Sequence, residues 1–124
     1  MTAPKKAVKT KTGNAKSLNV AQLQAVADLF SSLSESSRLR ILQALQQKSM
    51  SVSELVEHTT LKQANVSKQL GILQAAGVVS RRQEGNRAIY SIAMPLVFEL
   101  CDLVCRRVAT QAAERAAALK QRRT

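Results

Sequence analysis

The chain has 124 residues, a length that fits one domain. Its 19 Lys and Arg against 8 Asp and Glu give a formal net charge of +11, the balance expected of a protein that binds a polyanion. Aromatic residues make up only 2%, which argues against a single-stranded nucleic-acid binder needing rings for base stacking. No apolar run approaches the ~20 residues that span a bilayer, and the N-terminus has no apolar signal core. A cytoplasmic protein without stable disulfides or membrane contact is therefore expected.

The first eighteen residues carry Lys5, Lys6, Lys9, Lys11 and Lys16, no acid and almost no large apolar side chain. They are expected to form a disordered basic tail over 1–18, because they cannot bury enough surface to order themselves. The tail is either a DNA-tracking arm or a solubilising segment.

A folded domain is expected over 19–119. Asn19 with Gln22 predicts a helix start, and Leu23, Val26, Phe30 and Leu33 form an apolar stripe behind it. Ser34–Ser37 breaks that pattern, and Leu39, Ile41, Leu42 and Leu45 carry a second helix. Ser51 and Glu54 have capping-box spacing and open a short helix with Val52, Leu55 and Val56 inward. His58 is read as a cation favoured at that helix's C-terminus.

Thr60 and Gln63 also have capping-box spacing, which predicts a further helix over 61–76. Val66, Leu70 and Leu73 form its inner stripe, and Gly77 supplies a left-handed stop. Its other faces carry Gln63, Ala64, Asn65, Ser67, Lys68 and Gly71, with a lysine and no acid. Such a face suits the major groove, where amides read adenine and lysine contacts guanine or phosphate. Alternatively it is a solvated face with no task.

Two strand-forming runs follow, Val78–Arg82 and Ala88–Ile92, with Glu84-Gly85-Asn86 supplying turn chemistry between them. Arg81, Arg82 and Arg87 cluster at the tip. A last helix is predicted from Pro95, with Val97, Leu100, Cys101, Val104, Cys105, Val108 and Ala112 on one stripe. Residues 120–124 are expected to fray. The fold class is mainly α: about five helices and a two-stranded antiparallel wing, the order of a winged helix-turn-helix.

From about Leu29 to Ile92 the chain resembles the ArsR/SmtB family of bacterial winged helix-turn-helix repressors. Leu33–Leu42 (LSESSRLRIL) is similar to that family's LADPTRLRIL. Lys62–Leu70 (KQANVSKQL) is similar to its recognition helix SQSNVSHQL. Leu73–Val79 (LQAAGVV) resembles LLREAGLV, and Glu84–Ile92 (EGNRAIYSI) resembles the wing EGRxxYYSL. The four segments stand in the family's order.

The resemblance implies a homodimer that represses transcription, binds an inverted-repeat operator and releases it when a small inducer binds. It implies DNA contacts from Lys62, Gln63, Ala64, Asn65, Ser67 and Lys68 on the helix and from Arg81, Arg82, Asn86 and Arg87 on the wing. Arg38 and Arg40 match scaffold arginines of the family. The last helix is implied to pair with its counterpart or with the first helix across the dimer. Ala64 replaces a common serine and Lys68 a common histidine or arginine, so the operator sequence does not carry over.

The sensing site departs from the family. Arsenic- and cadmium-responsive members carry CVC where this chain has Ser51-Val52-Ser53, and hydroxyls do not replace thiolates for soft metals. Zinc-responsive members use ligands on the last helix, which here lacks histidine; the one histidine is His58. Cys101 and Cys105 remain, one helical turn apart. They are either apolar seam residues or a thiol switch for arsenite, reactive sulfur or an oxidant, as in some family members. No metal site and no catalytic constellation is recognised, so no enzyme is expected. The alternatives to a repressor are an architectural DNA-coating protein and a protein- or RNA-interaction module built on a winged helix.

Overall fold

The structure, a computed structural model, describes residues 17–123. The basic tail expected over 1–18 falls almost wholly outside the described residues. The described chain contains five helices and three strands and divides into a unit ending at Glu35 and a unit beginning at Ser36.

The first unit holds α1 (Val20–Leu33). It starts as the sequence predicts: the Gln22 backbone N–H donates to Asn19 Oδ1 at 2.8 Å and the Asn19 N–H donates to Gln22 Oε1 at 2.9 Å. Leu33 is buried, but Leu23, Val26 and Phe30 remain 53%, 41% and 53% exposed.

The second unit runs α2 (Ser36–Leu45), β1 (Met50–Ser51), α3 (Val52–Thr59), α4 (Gln63–Ala75), β2 (Val79–Glu84), β3 (Arg87–Ile92) and α5 (Pro95–Arg123). Its core gathers Ile41, Leu42 and Leu45 from α2, Leu55 from α3, and Val66, Leu70 and Leu73 from α4. Met50 and Ile89 close it from the sheet, Val78 from the turn after α4, and Val97 from the start of α5. Leu39 is 42% exposed.

The two-stranded wing forms as expected from β2 and β3, and a short third strand joins it. Met50 pairs with Tyr90 and Ser51 with Ile89, giving a three-stranded antiparallel sheet of order β1-β3-β2. The pairing rests on burial of Met50, and two residues are too few to show a strand period in sequence. β2 and β3 run in register from Val79 opposite Ile92 to Glu84 opposite Arg87. Gly85 takes φ +64° in the two-residue turn, whereas Asn86 does not use the left-handed region.

Helix α4 differs from expectation at its start. Thr60 does not cap it; Thr60 ends α3 in the left-handed region at φ 60° and donates its N–H to Val56 O. The N-cap is Lys62, whose side chain makes no cap hydrogen bond. The physical reason is competition for the Thr60 hydroxyl, which donates to Thr59 O and accepts from Arg40 Nη2 at 3.0 Å. The helix end follows expectation. Gly77 takes φ +78°, its N–H donates to Gln74 O, and the Val78 N–H reaches back to Leu73 O. That is a Schellman motif, with Val78 and Leu73 both fully buried at its hydrophobic positions.

Helix α5 begins at Pro95 as predicted but runs on through Arg123, past the boundary expected near 119. At 1.5 Å per residue its 29 residues extend about 43 Å. Val97 is buried, whereas Val104, Val108 and Leu119 are 55–60% exposed. No helix among the described residues is long and apolar enough to cross a membrane.

Candidate nucleic-acid interface

Helices α3 and α4 are joined by three residues, Thr60-Leu61-Lys62. That tight turn sets α4 across the unit with its inner stripe buried and its other faces open. Arg40 of α2 pins the turn by donating to both Thr59 O and Thr60 Oγ1. A left-handed threonine is strained by its β-branch, and this double contact holds it. Arg40, read in sequence only as scaffold, therefore fixes where the next helix begins.

Lys62, Gln63, Ala64, Ser67 and Lys68 are all exposed on one side of α4, with Gly71 continuing that side. No acid lies among them. Asn65 does not join this face. It is half-buried, donating to Ser37 Oγ at 3.3 Å and accepting from Gln69 Nε2 at 2.9 Å. Gln69 is only 4% exposed and also accepts from Arg38 Nη1 at 2.9 Å. Sequence reasoning passed over Gln69. Its position directly before Leu70 was the available signal, since a helical wheel sets it on the inner side.

On the wing, Arg81, Arg82, Asn86 and Arg87 are exposed. The arginines are braced. Arg82 Nη2 lies 2.7 Å from Glu84 Oε2, and Arg81 Nη2 donates to Gln83 Oε1 at 3.2 Å. Arg87 Nη2 lies 3.1 Å from Glu54 Oε1, tying the wing to α3. Glu54 also completes the Ser51 capping box. Its carboxyl is held below the usual range, first by the Ser51 backbone N–H and then by the Arg87 and Lys48 charges. Glu54 was read from sequence as a cap alone; its hold on Arg87 crosses 33 residues of chain and no local pattern announces it.

The two cysteines of α5 are free, Cys101 half-buried and Cys105 exposed. Burial pushes the Cys101 thiol up from its ordinary pKa, and Cys105 adds to the shift. Arg106 is paired with Asp102 one turn back. Among the described residues no three His, Cys, Asp or Glu side chains gather into a metal site. His58 lies exposed in the last turn of α3, where the sequence placed it.

Comparison with known proteins bears on this arrangement. A family model described as bacterial regulatory protein, arsR family, matches residues 35–81. The uncharacterized HTH-type transcriptional regulator Rv0081 of Mycobacterium tuberculosis (strain ATCC 25618 / H37Rv) is 40% identical over 98 residues, which are 78% of this chain and 86% of that protein. The crystal structure of M. tuberculosis Rv0081 matches with a TM-score of 0.67 at 38% identity, covering 76% of this chain and 95% of that one. The solution structure of the homodimeric winged helix-turn-helix DNA-binding domain Mb0332 from Mycobacterium bovis matches at 34% identity and TM-score 0.67, over 77% and 87% of the two chains. The AntR antimony-specific transcriptional repressor matches at 27% identity and TM-score 0.69, over 76% and 86%.

Proposed function

This chain belongs to the ArsR family of bacterial regulatory proteins, and from that premise we propose that it is a sequence-specific repressor whose homodimer grips an inverted-repeat operator and releases it through its cysteines. That it is a DNA-binding transcriptional repressor with a winged helix-turn-helix follows from the family; the operator and the release step are the proposal.

The observation that carries the operator reading is the acid-free exposed face of α4 beside the wing. Gln63 and Lys68 have the donors and acceptors to read base edges, and Lys62, Ala64 and Ser67 lie alongside for backbone contact. Arg81, Arg82, Asn86 and Arg87 follow the phosphates. The exposed apolar faces of α1 and α5 supply the dimer contact. A two-fold axis through it sets two reading helices about one DNA turn apart, ~34 Å, and requires an inverted repeat. A gel shift against the DNA upstream of its own gene, with nonspecific competitor, is the test. Equal affinity for that DNA and random duplex would refute sequence-specific repression and leave the architectural alternative.

For release, Cys101 and Cys105 offer two sulfurs on one face of α5, and the partner copy offers two more. The raised Cys101 pKa disfavours a free thiolate, which favours a ligand that displaces thiol protons directly. Arsenite does this: each As–S bond forms as a thiol proton leaves with an arsenic-bound hydroxyl as water. The similarity to an antimony-specific repressor supports the same ligand class. The expected result is that arsenite frees the operator from the wild type and leaves a Cys101→Ser, Cys105→Ser variant bound. Zinc, peroxide and polysulfide are the parallel arms. A variant that responds like the wild type would make the cysteines structural.

A further inference from the structure

We infer that Gln69 is a positioning residue that sets the roll of α4 about its own axis, and with it the sequence preference of the protein. The inference rests on the sequence-specific reading above. Helix α4 is seated by one narrow apolar stripe, Val66, Leu70 and Leu73. Nondirectional contact along such a stripe resists translation well and rotation about the helix axis poorly. Direction comes from hydrogen bonds, and here three run in series from α2 into the inner shoulder of α4. Arg38 Nη1 donates to Gln69 Oε1, Gln69 Nε2 donates to Asn65 Oδ1, and Asn65 Nδ2 donates to Ser37 Oγ.

Both ends of this chain are anchored in the first turn of α2, at Ser37 and Arg38, and both middle members lie on α4 one turn apart. The clamp thus grips the reading helix at two levels. Gln69 is 96% buried and uses both ends of its amide, so neither can be given up without leaving a buried polar group unpaired. On a helix whose side chains reach a radius of about 6 Å, a roll of about 20° would carry the tips of Gln63, Ser67 and Lys68 by about 2 Å. That displacement exceeds the tolerance of a bidentate base contact but leaves a lysine–phosphate attraction almost unchanged.

The test compares Gln69→Met and Gln69→Glu with the wild type, using an operator recovered by selection from a random duplex library. Methionine keeps length and flexibility and removes both hydrogen bonds. Glutamate accepts from Arg38 and, after the Asn65 amide turns over, from Asn65 Nδ2, while the Ser37 hydroxyl donates to Asn65 Oδ1; the clamp is rebuilt with its polarity reversed. Gln69→Met is expected to lower the ratio of operator to random-duplex affinity by about tenfold or more, the scale of one lost base contact, with random-duplex affinity retained. Gln69→Glu is expected to lower both affinities through its charge and to restore the ratio.

An unchanged ratio in Gln69→Met, or equal loss on both duplexes, overturns the clamp. If Gln69→Met loses its fold, Ser37→Ala, which removes only the last link, is held to the same criterion. If the wild type itself shows no preference, the repressor reading fails. The clamp is then judged in the free protein, where backbone amide shifts of Gln63, Ala64, Ser67 and Lys68 are expected to move in Gln69→Met and return in Gln69→Glu. Shifts that stay put overturn it.

Discussion

Val104→Glu tests the dimer contact most directly. Val104 is 55% exposed in the protomer and lies on the α5 stripe beyond the buried Val97. Burying a whole valine stabilises by about 1.5–3 kcal/mol, so covering its open half contributes about 1 kcal/mol per chain and about 2 per symmetric dimer. Glutamate forfeits this and brings a carboxylate from each chain into the seam, at a cost of several kcal/mol per ion. The total exceeds about 5 kcal/mol, which raises the dissociation constant more than ~10³-fold. Val104→Ala loses at most that apolar part of about 2 kcal/mol, an increase of up to about thirtyfold. The protomer should stay folded, because the site is already open to water. Sedimentation velocity at micromolar concentration should show wild-type dimer, a shifted equilibrium for Val104→Ala and monomer for Val104→Glu with unchanged circular dichroism. The monomer should also lose the ~10²–10⁴-fold gain that a joined second half-site gives. A Val104→Glu protein that remains dimeric would place the interface away from this stripe.

Other outcomes follow from the same geometry. Gln63→Ala and Lys68→Ala should each weaken operator binding by about 1–3 kcal/mol and leave random DNA nearly unaffected, whereas Arg87→Ala should weaken all duplexes and lower the salt slope by no more than about one; titration at several salt concentrations separates them. Removing Met1–Ser17, with its five lysines, should lower affinity at low salt and change nothing at high salt, where diffuse charge is screened; an altered operator preference would mean that the segment reads bases. Glu54 has a depressed pKa in the folded state, so its stabilisation is complete above the unfolded value of about 4.3 and disappears as pH falls through the folded one. Glu54→Gln keeps an oxygen for the Ser51 N–H but drops the charge. Thermal melts should therefore show a wild-type advantage at pH 7 that shrinks below about pH 4; an advantage that grew with acid would contradict the assignment.

The elements that show in sequence are those specified by neighbours in the chain. The caps at Asn19 and Ser51 need a partner three residues away, and both formed. The stop at Gly77 needs one left-handed residue, and it formed with both of its return bonds. Thr60 failed as a cap because a residue twenty positions upstream, Arg40, claims its hydroxyl. β1 was invisible because two residues have no period and its partners lie some forty positions on. In the candidate interface the same rule holds. Gln63, Ala64, Ser67 and Lys68 follow from helical phase alone, which separates them from the Val66–Leu73 stripe. Asn65 was assigned to the open face because its shoulder position becomes inward only when Ser37, 28 residues away, offers an oxygen. The bracing of Arg87 by Glu54 is likewise a tertiary fact.

The position of the cysteines on α5 bears on how release would work. Val97 is fully buried, and the Ala93 N–H donates to Val78 O at 2.8 Å, fastening the approach to α5 to the residue that closes α4. The first turn of α5 is therefore fastened to the end of the reading helix. Cys101 lies one turn further on, half-buried, and Cys105 one turn beyond it, exposed. Both stand where the fastened turn gives way to the free length of the helix. A ligand joining sulfurs there would act on the angle between protomers more than on the packing inside either one. An inverted repeat is sensitive to that angle, because both reading helices must enter successive major grooves together. Coupling of only 1–3 kcal/mol between two sites changes affinity about 5–150-fold, so under the proposed cysteine release a small rotation at this junction would be enough, without rearrangement of the core beneath α4.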